Sequence, residues 1–212
     1  MESHSEGGLD RIVHDHFFAG AAAGVFVDVG AARPDYLSMS AIYRTLGWRI
    51  IAIEPNPIFC QAYREAGHEV LEYACADRDE DNVNFEIVDS HGAAYEEGAV
   101  TFESFSALTV KDSYESSLST GKLDLRSITV NMRKLDTLLA EHAPELERLE
   151  IVSIDVEGWE LEVLRGFSLE RYRPSVLIIE NVLDEAAYHQ ALGARGYKRW
   201  THVPPNDVYV PA

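Results

Sequence analysis

One six-residue run constrains this chain most. Val25 to Gly30 reads Val-Phe-Val-Asp-Val-Gly, and the turn Ala31-Ala32-Arg33-Pro34-Asp35 follows it. An unbroken β-branched and aromatic run that stops at a glycine predicts a strand buried on both faces. A second such run, Ile50 to Ile53, ends in Glu54-Pro55-Asn56-Pro57. A strand, a tight turn, a helix and a second strand with an acid at its tip describe a nucleoside-binding crevice.

The remaining periodicity fits that frame. Helical spacing is expected over Leu9–Ala23, Pro34–Leu46 and Pro57–Ala66, the last with Asn56 as N-cap and Gly67 closing it. Further helices are expected at Leu135–His142, Trp159–Leu164 and Asp184–Leu192. Strands are expected at Arg49–Ile53, Glu69–Ala76, Asn82–Val88, Ile128–Val130, Ile151–Val156 and Val176–Asn181. Tyr197–Val203 and Asp207–Val210 flank Pro204-Pro205-Asn206 as an antiparallel pair. This alternation predicts an α/β three-layer sandwich, mostly parallel, with an antiparallel C-terminal edge pair. Residues 1–8 are polar and expected to be disordered, and residues 9–212 form a single domain. Ser90 to Ser127 lacks periodicity and is rich in Ser, Gly, Thr and acids, the composition of a substrate loop or lid, or of a disordered insertion.

Charge narrows the partners. The 212 residues carry 18 basic and 36 acidic side chains, a formal charge of −18. Such a chain repels phosphate backbones and anionic lipid, so neither nucleic acid nor a membrane surface is expected. Cys60 and Cys75 are the only cysteines, too few for a disulfide framework or a zinc cluster. The first residues lack signal-peptide features, and no apolar run reaches the roughly 20 residues of a membrane span. A cytoplasmic protein is expected.

In an open parallel sheet the ligand lies outside the carboxyl ends of the strands. Gly30 there has no side chain, so backbone can approach a ligand closely. Pyrophosphate recognition needs several exposed amides at a glycine-rich helix start, and Gly30 is the turn's single glycine. A sulfonium nucleoside carries no phosphate and does not need that cradle. Glu54 can accept from both ribose hydroxyls, or cap a loop. Asp77 can accept from an adenine amino group, or belong to a solvated turn, Asp77 to Asp81. Asp155, at the tip of the fourth parallel strand, faces the sulfonium and the incoming nucleophile. With Glu180 and Asn181 it can hold Mg²⁺ through oxygen ligands; the same acids can instead serve the cofactor amine or backbone amides. Candidate general bases are His91, His202, Asp155 and Glu157.

Taken together these segments resemble the FkbM family of S-adenosyl-L-methionine-dependent methyltransferases. The matching pieces are Phe26 to Ala31, Leu46-Gly47-Trp48, Ile53 to Pro57, Leu135 to Leu139, Ile154 to Glu160 and Val163 to Gly166, in the family's order. The resemblance implies a class I, Rossmann-like fold and methylation of hydroxyls on sugars, polyketides and related small metabolites. It implies cofactor contacts from Asp28, Gly30, Ala31, Ala32, Glu54 and the adjoining Pro55. Ser38, in the following helix, would reach the methionine carboxylate, and Ala76 and Asp77 would flank the base. Asp155 and Glu157 would lie beside the reacting methyl group. The family usually continues with Asn, an acid and Gly where this chain has Ala32, Arg33 and Pro34, so Arg33 is placed to pair with the cofactor carboxylate. Two other readings are a non-catalytic nucleoside-binding module and, disfavoured by the missing glycines, an NAD-dependent oxidoreductase.

Overall fold

Apolar strands with no polar face need cover on both sides, and that requirement sets the layers. The computed structural model describes residues 3–89, 94–95, 100–101, 106–108 and 124–212. After a 3₁₀ turn at Glu6–Gly8 the chain forms α1 (Leu9–Phe17), β1 (Val25–Val29), α2 (Ala41–Thr45), β2 (Arg49–Ile53), α3 (Pro57–Glu65), β3 (Ala74–Cys75) and β4 (Glu80–Asp89). Then come β5 (Ala94–Tyr95), β6 (Val100–Thr101), β7 (Asp124–Arg133), α4 (Leu135–His142), β8 (Ile151–Ile154) and α5 (Glu160–Arg165). The chain ends with α6 (Leu169–Tyr172), β9 (Val176–Glu180), α7 (Ala186–Gly193), β10 (Tyr197–Val203) and β11 (Asn206–Pro211).

The main sheet has the order β10-β11-β9-β8-β1-β2. Its central strands β9, β8, β1 and β2 are parallel, and β11 returns antiparallel to both β9 and β10. Side chains alternate between the two faces. Val27, Val29, Ile53, Val152, Ile154 and Ile179 pack on one face against Leu135, Leu138 and Leu139 of α4 and Val163 and Leu164 of α5. Phe26, Ile151, Val176 and Ile178 pack on the other against Leu9 and Val13 of α1 and Ile42 and Tyr43 of α2. A second sheet, β3-β7-β4, stands beside it, with β4 and β7 paired antiparallel.

Several elements differ from expectation. Residues 3–8, expected to be disordered, are tied to buried Asp10: its carboxylate accepts from His4 N at 2.8 Å, and Asp10 N donates to Ser5 Oγ at 2.8 Å. α1 stops at Phe17, where Phe18 N closes onto the His14 carbonyl at 2.8 Å and the Phe18 ring turns edge-on to Trp48. The helix expected from Pro34 begins only at Ala41, because Leu37 adopts a left-handed φ of +50° that breaks the turn. The strand expected over Glu69–Ala76 shortens to Ala74–Cys75 and pairs with β7, leaving one bridge from Leu71 to Ile53 of the main sheet. Conversely, the strand expected over Ile128–Val130 runs from Asp124, removing residues 124–127 from the loop. Among the described residues no helix is long and apolar enough to cross a membrane.

Candidate active site

A row of four positions crosses the carboxyl ends of the parallel strands. Val29 lies opposite Ile53 on one side and Ile154 on the other, and Ile154 lies opposite Ile179. One step further along each strand stand Glu54, Gly30, Asp155 and Glu180, neighbours in that order. The ladder continues into the row: Gly30 N donates to the Ile53 carbonyl at 3.0 Å, and Asp155 N to the Val29 carbonyl at 3.0 Å. Strand alternation turns these side chains, with that of Asp28, to the sheet face covered by α1 and α2. Gly30 has a φ of +78°, and a Cβ added there would run into the Asp155 carbonyl oxygen. The result is four acids around a stretch of bare backbone.

Over the row lies a cleft of about 860 Å³, whose lining includes Asp28, Gly30, Glu54, Pro55, Asp155 and Glu180. Tyr73, Phe85 and Leu108 line it from the second sheet's side, and Ser5, Glu6 and Gly7 from the N-terminal turn.

Glu54 braces the first half of the site. Its Oε2 accepts from Ala32 N at 2.9 Å and its Oε1 from Asn56 N at 2.7 Å, so one carboxylate holds the loops after β1 and β2 together. Asn56 in turn caps α3, accepting from Ile58 N at 3.0 Å. Burial raises the Glu54 carboxyl to about 7, against the pull of the two amides and with a further push from Asp28. Asp28 is raised to about 6, by burial first, opposed by Ser40 and Arg44. Its Oδ2 is buried and has no hydrogen-bond partner among the described residues.

The second half is a carboxylate trio. Asp155, Glu157 and Glu180 each offer an oxygen, all within 4.8 Å of one another. Burial, then the charges of Glu160 and Glu6, pushes Asp155 up to about 7. Glu157 and Glu180 are held well above the usual carboxylate range by burial and then by Asp155. The loop that carries Glu157 is fixed by Glu160, whose Oε1 accepts from Val156 N at 3.0 Å and Gly158 N at 2.9 Å. Glu160 Oε2 accepts from the Tyr188 hydroxyl at 2.7 Å.

A family model for the methyltransferase FkbM domain matches residues 28–197. The chain belongs to the FkbM methyltransferase family. Among solved structures it is similar to the crystal structure of methyltransferase FkbM from Methylobacillus flagellatus KT, at 16% identity and a TM-score of 0.50. That match covers 92% of this chain and 46% of the other, so this chain spans about half the length of that protein. At such identity the likeness concerns the fold, a mixed α/β arrangement around a mostly parallel sheet. No curated protein matches.

In this FkbM-family chain the expected site residues divide into two groups. Asp28, Gly30, Ala31, Ala32, Glu54, Pro55, Asp155, Glu157 and Glu180 all line the cleft, as does Arg33, which sits 3.6 Å from Asp35. Others are elsewhere. Ser38 lies in the loop before α2, not in a helix; it is buried, with its Oγ 3.4 Å from that of Ser40, and it is not among the lining residues. Because β3 ends at Cys75, Ala76 is buried outside the cleft and Asp77 is exposed, 3.3 Å from Arg78; Tyr73, Ala74 and Cys75 line the wall in their place. Asn181 turns away from the trio, donating to Asp207 Oδ2 at 2.9 Å and accepting from Glu185 N at 2.8 Å. His202 is engaged with Asp207 at 2.9 Å, and His91 lies outside the described residues. The contribution of Ser5 to Gly7 was not anticipated, although Ser5 ahead of an apolar-periodic helix is a start signal.

The raised carboxyls set the pH dependence of stability. Asp28 and Glu54 bind protons more tightly folded than unfolded, so their contribution is full below their ordinary values near 4 and is lost as pH rises through about 6 and about 7. Thermal melts of the unliganded protein are therefore expected to show higher midpoints near pH 5 than near pH 8. Glu54→Gln should flatten that slope, and an unchanged slope would remove Glu54 as a source.

Proposed function

We propose that this chain is an S-adenosyl-L-methionine-dependent methyltransferase of class I, Rossmann-like architecture that O-methylates a small metabolite, sugar or glycan, or polyketide-like acceptor. The observation that carries this reading is Gly30, bare of side chain, in one row between Glu54 and Asp155. A nucleoside laid across Gly30 meets the free lone pairs of Glu54 with its ribose hydroxyls, since each carboxylate oxygen can accept a second hydrogen bond beyond its backbone amide. The unpartnered Asp28 Oδ2 suits the cationic amine of the amino-acid end.

When bound, S-adenosylmethionine supplies a methyl group on a sulfonium; the S–CH₃ bond breaks as the O–CH₃ bond forms, and the electron pair stays on sulfur. The protein's work is alignment and proton removal. Asp155, raised to about 7 in the row beside Gly30, is suited to take the acceptor's proton. Val182, Leu183 and Tyr36, exposed apolar side chains on the cleft lining, suit an acceptor with an apolar part. The buried unpaired thiols Cys60 and Cys75 and the charge of −18 favour a reducing cytoplasmic setting without nucleic acid or membrane partners.

Calorimetry with S-adenosylhomocysteine and with NAD⁺ separates the readings. Saturable heat is expected from the first and none from the second. Failure of S-adenosylhomocysteine to bind at millimolar concentration would sink the methyltransferase reading.

A further inference from the structure

Glu157 is held where a turn residue would not settle by itself. Its φ is +56°, a region L side chains resist by about 1 kcal/mol, and Glu160 fixes the amides on either side of it. The outcome is a carboxylate facing Asp155 and Glu180, with Oε2 sealed from solvent and without a hydrogen-bond partner among the described residues. Asp28, 5% exposed in the same cleft, presents a second such oxygen, Oδ2. A buried polar oxygen left unpaired costs on the order of 1–3 kcal/mol, and either a proton held by these raised carboxyls or a bound cation answers that cost.

Among the described residues the cleft lining is poor in positive charge. Among the described residues Arg33 is the one basic side chain there, and it stands 3.6 Å from Asp35. The molecule contains its own contrast. Asp184, His189 and Asp207 form another close acidic cluster, but Arg199 reaches Asp184 at 2.9 Å and Asp207 at 3.1 Å and neutralises it from within.

We propose that Asp155, Glu157 and Glu180 bind a divalent cation of the Mg²⁺ or Mn²⁺ class in the floor of the cleft. One oxygen from each lies within 4.8 Å of the others. Ligands held about 2.1 Å from a hard cation stand roughly 3 to 4 Å apart, so the trio closes onto one with a small contraction. An all-oxygen donor set selects such cations over softer metals. Glu157 thus takes the place that strand-end reasoning gives to Asn181, whose amide is committed to Asp207. Binding of the cation needs no assumption about activity. Its use, holding an acceptor hydroxyl and easing loss of its proton, rests on the methyltransferase reading; with the cation bound, Asp155 serves as its ligand and not as the base.

Mn²⁺ titrated into the full chain, with free ion read by electron paramagnetic resonance and Mg²⁺ as competitor, tests the site. One saturable site is expected. Glu157→Gln and Glu180→Gln should each weaken it by about 10-fold to 100-fold, a scale reached even by changes outside the ligand shell. Asp184→Asn should leave it intact, and circular dichroism of each variant should match the parent. Retention of Mn²⁺ in the presence of S-adenosylhomocysteine supports a metal site separate from the donor. Absence of saturable uptake, uptake indifferent to both glutamine variants, or full displacement by S-adenosylhomocysteine overturns it. If S-adenosylhomocysteine binds and Mn²⁺ does not, the metal proposal fails alone; if Mn²⁺ binds and S-adenosylhomocysteine does not, only the methyltransferase reading fails.

Discussion

Gly30→Ala is expected to cost roughly 3–5 kcal/mol of stability and to abolish S-adenosylhomocysteine binding. Two effects combine. A left-handed φ of +78° penalises any L side chain by about 1–2 kcal/mol. The larger part is contact with the Asp155 carbonyl, which is backbone immediately beyond β8 and cannot swing aside. Gly47→Ala separates the two, because Gly47 has a φ of +80° and nothing within 4 Å of an added Cβ. It should lose only the conformational part, about 1 kcal/mol. Denaturant unfolding of both variants measures the difference, and equal losses would mean that the close approach of β1 to β8 beyond Val29 is not what excludes a side chain.

Glu160→Ala should have the next largest effect, on the order of 3 kcal/mol. It leaves the amides of Val156 and Gly158 and the hydroxyl of Tyr188 without their acceptor. Relief of repulsion at Asp155 and Glu157 offsets part of the loss, since Glu160 raises both. Glu160→Gln retains one oxygen for the two amides and can offer its amide group to the Tyr188 oxygen, so its stability should stay near that of the parent. If the alanine and glutamine variants unfold at the same denaturant concentration, the loop is held by something other than these hydrogen bonds.

The parallel core was legible because β1, β2, β8 and β9 are apolar on both faces, and such runs carry their own end signals in Gly30, Glu54, Asp155 and Glu180. The C-terminal hairpin was legible from Pro204-Pro205-Asn206, at the turn between its two strands. Local pattern failed where tertiary contacts decide. Leu37, Ala41 and Ile42 have helical spacing, yet the Arg44 guanidinium reaches the Pro34 carbonyl at 3.0 Å across an open loop. Glu69 to Ala76 has strand composition, but its partner proved to be β7, 58 residues away (Ala74 opposite Met132) in a separate sheet. That displacement carried Asp77 out of the cleft. Asn181 was misplaced because spacing cannot show that Asp207, on a strand pairing antiparallel with β9, would claim its amide. Glu6 reaches the site through the N-terminal turn, which single-residue patterns do not encode.

The central claim is that the row Glu54–Gly30–Asp155 receives the methyl donor. Backbone amide resonances followed by NMR during addition of S-adenosylhomocysteine test it most directly. The amides of Gly30, Ala31, Ala32 and Asn56 are expected to shift saturably and together, while those around Asp184 and Arg199 stay in place. Saturable shifts confined to the second region, with residues 30–32 unmoved, would contradict the account.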